Sequence, residues 1–156
     1  MTKKFIKYNN QYSKQVADFI NESMYMFINR PYKDREDVLD INNYYIKNNG
    51  IFYIALDNNK IIGTIALENK GNIGILKRFY VDKNYQKLGI GNRLYEMIET
   101  YIKEKTKIKK VILTCNEILT DAHKFYLKRG YKQVAHLELE LEHLDNDYFF
   151  IKSILR

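Results

Sequence analysis

The chain has 156 residues, of which 46% are hydrophobic and 29% are charged, and its formal net charge is +7. This composition is typical of a folded globular chain, and no apolar run reaches the roughly 18 residues that a transmembrane helix needs. The one cysteine, Cys115, excludes an internal disulfide and fits a reducing cytoplasm. We therefore predict a single cytoplasmic domain over residues 1–156, with an anionic partner and no membrane.

The first half of the chain predicts two helices followed by three strands. Apolar residues recur at helical spacing over residues 13–22 and 34–47. The runs 52–56 and 60–67 read as strands, and the Asp57-Asn58-Asn59 segment between them is typical of a hairpin turn. Residues 73–81 form a third extended run of β-branched and aromatic side chains.

The second half alternates helices and strands. An amphipathic helix follows Gly91, VILTC (111–115) reads as a buried strand, and a second helix over 121–129 stops at Gly130. Two more strands are expected near 131–135 and 148–154, and LELELEHLD (137–145) also alternates as a strand does. This order indicates an α/β or α+β fold with a mixed sheet.

Two glycines interrupt the chain between the strand 73–81 and the helix that follows it, in the loop QKLGIGN (86–92). The first N–H groups of a helix are unpaired and attract anions, and glycine lets the backbone approach a phosphate closely. A Walker loop is excluded because Asn92 follows Gly91, and a dinucleotide loop is excluded because Leu94 replaces the third glycine. Spacing alone leaves two readings, an anion site or a turn that needs positive φ.

Two motifs carry a family resemblance. Gln86-Lys87-Leu88-Gly89-Ile90-Gly91, shortly after Val81, resembles the acyl-CoA loop of the GNAT superfamily of N-acyltransferases, Gln/Arg-x-x-Gly-x-Gly/Ala after the fourth strand. AHKFYLKRGY (122–131) is similar to the later motif of that family, a helix with a tyrosine that ends in Gly-Tyr. The resemblance covers nearly the whole chain. It implies a mixed, mostly antiparallel sheet of six to seven strands with about four helices, in which the strands 73–81 and 111–115 splay apart.

The resemblance implies an acetyl-CoA-dependent N-acetyltransferase and assigns its site residues. Tyr126 matches the tyrosine that protonates the leaving thiolate, and Asn116 resembles an asparagine that holds the pantetheine arm. Phe79, Tyr80 and Val81 would bind the same arm through backbone groups, and a backbone donor there would stabilise the oxyanion. The backbone N–H groups that would hold the pyrophosphate are those of Gln86, Lys87, Leu88, Gly89, Ile90, Gly91 and Asn92.

The general base is less apparent. Relatives often carry a glutamate on the fourth strand, but residues 75–81 contain no acid. Glu68, Asp82 and Glu117 are near in sequence, although each is more typical of solvated surface, and a water chain is the alternative. The three histidines lack metal-ligand spacing, so we predict no metal. A further hypothesis is that acidic residues in 34–40 and 137–145 form a mouth that attracts a cationic amine.

We predict direct acetyl transfer from acetyl-CoA to a primary amine of a small molecule or a peptide, in a ternary complex. A non-catalytic acyl-CoA sensor is one alternative. A nucleic-acid-binding module is another, which the charge and the 14 tyrosines suggest but no recognition motif supports. We expect no nucleic acid partner. Since C-terminal strands often pair between subunits in this family, the resemblance also allows a homodimer.

Overall fold

The computed structural model describes residues 3–155, which form seven strands and five α-helices. The strands are β1 (Lys3–Lys7), β2 (Ile51–Asp57), β3 (Lys60–Asn69), β4 (Ile73–Val81), β5 (Lys110–Asn116), β6 (Lys132–Val134) and β7 (Asp147–Ser153). The α-helices are α1 (Ser13–Ile28), α2 (Glu36–Leu39), α3 (Ile41–Tyr44), α4 (Ile90–Lys105) and α5 (Thr120–Lys128). Short 3-10 turns cover Asn10–Tyr12, Ile46–Asn48 and Lys83–Tyr85. None of the helices within residues 3–155 has the length and apolarity that crossing a bilayer requires.

All strands belong to one sheet, in the order β1-β2-β3-β4-β5-β7-β6. Every neighbouring pair is antiparallel except β4 and β5, which run parallel. This confirms the predicted mixed, mostly antiparallel sheet. The edge strand β1 was not predicted, because its short sequence KKFIK has no clear alternation and its pairing with β2 is what makes it a strand.

The strands β4 and β5 splay apart, as the resemblance implied. They are paired only from Ile73–Lys110 to Ile75–Ile112, although β4 continues to Val81 and β5 to Asn116. On the other side of β4, the register with β3 shifts between Thr64 and Ala66, which marks a β-bulge. Arg78 lies in this bulge with φ +53°, and the Thr64 hydroxyl donates to its carbonyl oxygen at 2.7 Å. The divergence opens a cleft in the middle of the sheet.

The sheet has an apolar core on each face. One core includes α4, whose buried stripe of Ile90, Leu94, Ile98 and Ile102 confirms the predicted amphipathic helix. The other core includes Val16 and Ile20 of α1 together with residues of the α2–α3 segment. Each helix layer holds its side of the cleft in place through this burial.

Two sequence-based predictions were wrong. The helix over 34–47 is broken at Asp40, which has φ −145° and whose carboxylate accepts a hydrogen bond from Asn43 N at 3.2 Å. Aspartate prefers such a capping position to a helix interior, so α3 starts anew there. The segment 137–145 is not a strand but lies in the irregular connection between β6 and β7. Its leucines are half-buried and its glutamates exposed, so the alternation reflects burial without strand pairing.

Candidate active site

A cavity of about 440 Å³ occupies the cleft between β4 and β5. Its floor is formed by residues 75–80 of β4. One side is formed by the end of α1 and the segment that leads into α2, and the other by the end of β5, by α5 and by residues 141–147. Side chains from both faces of the sheet therefore line the cavity.

The cavity brings together four of the predicted site residues. Phe79, Tyr80, Asn116 and Tyr126 all line it. Val81 and the loop 86–92 do not; they continue from the end of β4 toward α4. The predicted residues thus form two adjoining regions, a lined cleft and a backbone loop beside it.

The loop presents unpaired backbone donors. Among the hydrogen bonds of residues 3–155, none has a donor in the backbone N–H groups of residues 86–92. The next amide, Arg93 N, donates to Gly89 O at 3.0 Å and begins the regular ladder of α4. Successive free N–H groups at a helix N-terminus bind anions, and Lys87 and Gly89 adopt the positive φ values (+64° and +84°) that turn the loop.

The two glycines of the loop differ in backbone conformation. Gly89 caps α4 in the left-handed region, where a side chain is strained, so its conformation needs glycine. Gly91 has ordinary helical geometry, and a Cβ there would lie 3.6 Å from the Phe79 ring and 3.7 Å from Val81. Its missing side chain therefore faces β4, and only Gly89 meets a conformational need.

Arg129 adds a positive charge beside this loop, which the sequence did not indicate. It donates to the side-chain oxygen of Asn92, and its guanidinium lies 3.5 Å from the centre of the Phe125 ring. The contact joins the end of α5 to the first turn of α4. A Lys-Arg pair at a helix end is common, and only the tertiary contact distinguishes this arginine.

Tyr126 lies in the wall of the cavity, on α5. Its side chain is 7% exposed and packs among aromatic rings, including those of Phe79, Tyr131 and Phe150. Its hydroxyl makes no hydrogen bond to the residues that the structure describes. Burial, followed by the nearby Cys115, raises the pKa of Tyr126 well above its usual value, so the hydroxyl stays protonated at neutral pH.

Asn116 is buried at the end of β5, where its side-chain oxygen accepts from Ile118 N at 3.1 Å. Its carbonyl oxygen accepts from Leu119 N at 3.1 Å, and His123 Nε2 lies 2.9 Å from the same oxygen. These bonds fix the turn into α5. Within the described part of the chain the side-chain amide nitrogen has no partner, so it is available to a ligand.

None of the three acids that are near in sequence lines the cavity. Glu68 is held by Lys77 at 2.7 Å and Lys70 at 3.0 Å. Burial acts to raise its pKa, but these two lysines outweigh burial and lower it. Asp82 accepts from Asn84 N at 2.8 Å, and Glu117 is exposed. They are unsuited to take a proton from an amine in the cleft.

The expected acidic mouth is only partly formed. Asp34, Glu36 and Glu142 line the outer part of the cavity and are exposed. Asp40 is not part of the lining, and Glu138 is bound to Lys110 at 2.6 Å. The carboxylates are therefore interspersed with lysine and arginine rather than gathered into one acidic surface.

Residues 3–155 give little support to nucleophilic or metal-dependent chemistry. Burial raises the pKa of the Cys115 thiol to about 12, so it is protonated at neutral pH and is a poor nucleophile. Among residues 3–155, no group of three or more His, Cys, Asp or Glu side chains is arranged to hold a metal ion.

The part of the chain that forms most of this cleft matches a family model. Residues 14–131 match the model described as the acetyltransferase (GNAT) family. The chain belongs to the GNAT acetyltransferase family. The match spans both sequence motifs and all of the strands and helices that line the cleft up to α5.

Solved GNAT structures resemble this GNAT protein over nearly its whole length. A GNAT-family acetyltransferase from Staphylococcus aureus Mu50 is 28% identical, with a TM-score of 0.87 and coverage of 97% of this chain and 99% of the other. An acetyltransferase from Streptococcus agalactiae 2603 is also 28% identical, with a TM-score of 0.86 and coverage of 97% and 98%. The PaiA N-acetyltransferase of Thermoplasma acidophilum, solved in complex with coenzyme A, has a TM-score of 0.80 at 21% identity and coverage of 99% and 100%. Curated proteins give no match to this sequence.

Proposed function

We propose that this GNAT protein transfers the acetyl group of acetyl-CoA to a primary amine of a small molecule or a peptide, in a ternary complex. The observation that carries the proposal is the splayed cleft, which is lined by a buried, protonated tyrosine and lies beside a loop whose seven backbone N–H groups have no partner among the described residues. The complex of the Thermoplasma relative with coenzyme A supports the choice of ligand.

The residues of the loop and of β4 fit this ligand. The free N–H groups of 86–92, with the nearby charge of Arg129, would hold the pyrophosphate. Beyond Ile75 the edge of β4 that faces β5 has no strand partner, so its backbone groups are available to the amides of the pantetheine arm. Asn116 would donate its side-chain amide to the same arm from the opposite side of the cleft.

Acetyl-CoA supplies an activated acyl group, and the chain supplies position and a proton. A neutral amine attacks the thioester carbonyl, the C–N bond forms, and the C–S bond then breaks. The Tyr126 hydroxyl donates its proton to the departing sulfur, for which its raised pKa keeps it protonated. Since Asp37 in the cavity wall is bound to Arg78, the proton of the amine leaves through water.

The acyl-CoA sensor remains the second candidate. The observation that favours it is that Asp37 and Glu68, the buried acids closest to β4, are both committed to basic side chains. A sensor needs the loop and the cleft but no proton acceptor.

Thermal melts with acetyl-CoA, ATP and NAD at equal concentration test the ligand. Acetyl-CoA at about 100 times its Kd should stabilise the fold by about 2.7 kcal/mol, and ATP and NAD should not. An assay of free thiol with a panel of amines then tests transfer. Stabilisation by acetyl-CoA without thiol release would support the sensor, and no stabilisation at all would contradict both functions.

A further inference from the structure

Among the charged side chains that line the cavity, the buried and half-buried ones carry more positive than negative charge. Four cations that are buried or half-buried line it, namely Arg30, Arg35, Lys77 and Arg78. Two of them have carboxylate partners, because Arg78 binds Asp37 at 2.7 Å and Lys77 binds Glu68 at 2.7 Å. Arg30 and Arg35 form no ion pair with any described residue. Two positive charges on this wall therefore have no ion-pair partner among the described residues.

Neutral groups hold Arg35 in place. Arg35 is 9% exposed as a whole residue, and its guanidinium donates to the side-chain oxygen of Asn21, to Lys33 O at 3.3 Å and to Pro31 O at 3.2 Å. These acceptors orient the guanidinium but do not neutralise it. Burial, together with the charges of Arg78 and Arg30, lowers the pKa of Arg35. A buried charge without a counter-ion is costly, so a ligand anion would be well matched to this position.

One nitrogen of the Arg78 guanidinium donates to a weak acceptor. Its Nε and Nη2 atoms bind Asp37, its Nη1 donates to the sulfur of Met24 at 3.3 Å, and its guanidinium also forms a side-chain hydrogen bond with the Tyr80 hydroxyl. A thioether is a weak acceptor, which a carboxylate oxygen would replace with a stronger bond. Arg35 and Arg78 are close enough for the charge of each to act on the Tyr80 hydroxyl.

This wall is within electrostatic reach of the proton donor. Tyr80 acts in turn on the pKa of Tyr126, and both tyrosines line the same cavity as the arginines. The other acids of the lining form no ion pair with these arginines among the described residues: Asp34, Glu36 and Glu142 are exposed, and Asp147 lies on the β5 side, where it accepts from Leu144 N at 2.9 Å. The substrate that accepts the acetyl group would thus contact the arginines on one side of the cavity while its amine faces Tyr126.

We propose that Arg30, Arg35 and Arg78 bind a carboxylate of the acceptor, so that the substrate is an amine that carries a carboxylate, such as an amino acid or a short peptide. This rests on the proposed acetyl transfer and names its substrate class. Planar guanidinium groups suit a carboxylate because they can donate two parallel hydrogen bonds to it. The proposal also replaces the hypothesis of an acidic mouth: the cavity would select a substrate for its negative charge and not for its positive charge.

The test compares acids with their amides. Thiol release from acetyl-CoA is measured with each of the common amino acids and with dialanine, each beside its carboxamide, and with spermidine. For the best substrate we expect kcat/KM to be about tenfold to a hundredfold higher for the acid than for its amide, as the loss of a charge-assisted hydrogen bond predicts. Spermidine should be a poor substrate.

Substitution of the arginines tests whether they cause the preference for the acid over its amide. Arg35→Gln should raise KM for the acid about tenfold or more and leave kcat/KM for the amide within about twofold. Since Arg35 also holds three neutral groups, Arg30→Gln is the second variant, because Arg30 is half-buried and its side chain has no described partner to lose. Lys4→Gln removes the same charge from the exposed edge strand β1 and should change neither substrate. The shift of the melt with acetyl-CoA verifies that each variant is folded.

Three results would overturn the proposal. Amides or spermidine that react as well as the acids, or an Arg30→Gln variant that affects acid and amide equally, would remove the carboxylate subsite and leave acetyl transfer intact. Acetyl-CoA binding without transfer to any of these amines would overturn the proposed function and the substrate class together.

Discussion

Arg78 and Asp37 form a two-point ion pair that joins β4 to α2. Arg78 Nε lies 2.9 Å from Asp37 Oδ2, and Arg78 Nη2 lies 2.7 Å from Asp37 Oδ1. The Tyr45 hydroxyl donates to the same carboxylate at 2.6 Å, and Asp37 is 6% exposed. Because Arg78 lies in the β-bulge that interrupts the pairing of β4 with β3, this pair fixes one wall of the cleft.

Removal of the carboxylate should destabilise the fold. Asp37→Ala leaves the guanidinium of Arg78 and the hydroxyl of Tyr45 without their acceptor, and breaking a buried pair costs about 3–5 kcal/mol. Denaturant unfolding measures this loss. Asp34→Ala is the control, because Asp34 is exposed and has no described partner, and it should change stability by less than about 0.5 kcal/mol. A loss below about 1 kcal/mol for Asp37→Ala would contradict the structural role of the pair.

The contribution of Asp37 should depend on pH in the acid range. Burial acts to raise its pKa, but the hydrogen bonds and charge of Arg78 outweigh burial and lower it below the unfolded value of about 3.9. Because the folded pKa is depressed, the stabilisation is fully present above the unfolded pKa and is lost as pH falls through the folded pKa. The difference in unfolding free energy between the wild type and Asp37→Asn should be constant from about pH 7 to 5 and shrink below about pH 4. A difference that grows on acidification would have the wrong sign.

Tyr126→Phe should reduce turnover without reducing stability. If the hydroxyl protonates the leaving sulfur, kcat should fall about 10²- to 10⁴-fold, and KM for acetyl-CoA should change little. Stability should stay within about 0.5 kcal/mol, since the hydroxyl has no described hydrogen-bond partner. Steady-state kinetics and denaturant unfolding together make the measurement.

The matched control for Tyr126 is Tyr131→Phe. The Tyr131 hydroxyl accepts from the Tyr95 hydroxyl at 2.9 Å, so its removal should cost about 1 kcal/mol of stability and leave kcat nearly unchanged. If the two variants lowered kcat equally, the effect would come from packing among the aromatic rings, and the acid would have to be another group.

The glycines of the loop should respond differently to alanine. Gly89→Ala forces a side chain into φ +84° and should cost about 1–2 kcal/mol. Gly91→Ala places its Cβ at ordinary contact distance from Phe79 and should change the stability of the free protein by less than about 1 kcal/mol. Thermal melts, with and without acetyl-CoA, measure the stability of the two variants. A Gly91→Ala variant that is as destabilised as Gly89→Ala would show that the helix start is more crowded than described.

The secondary structure near the site was largely predictable from local pattern. The turn residues between β2 and β3, the apolar stripe of α4 and the run that became β4 each carry their signal within a short window. The loop 86–92 was also recognisable, because two glycines at a helix start combine conformational freedom with free N–H groups. The failures occurred at Asp40 and in 137–145, where a side-chain cap and one-sided burial overrode the periodicity.

The sequence by itself determined most of the order of the elements, the glycine loop at the start of α4 and the family to which its two motifs belong. Only the tertiary structure decided which of the arginines that line the cavity are paired, because Arg78 meets Asp37 across 41 residues of sequence and Arg35 is buried by neighbours from another helix. A lysine or arginine in a one-dimensional pattern is typical of solvated surface. Whether it is paired, buried or left with an uncompensated charge depends on which strands pair and where the pairing stops, and those contacts form only when distant segments pack together.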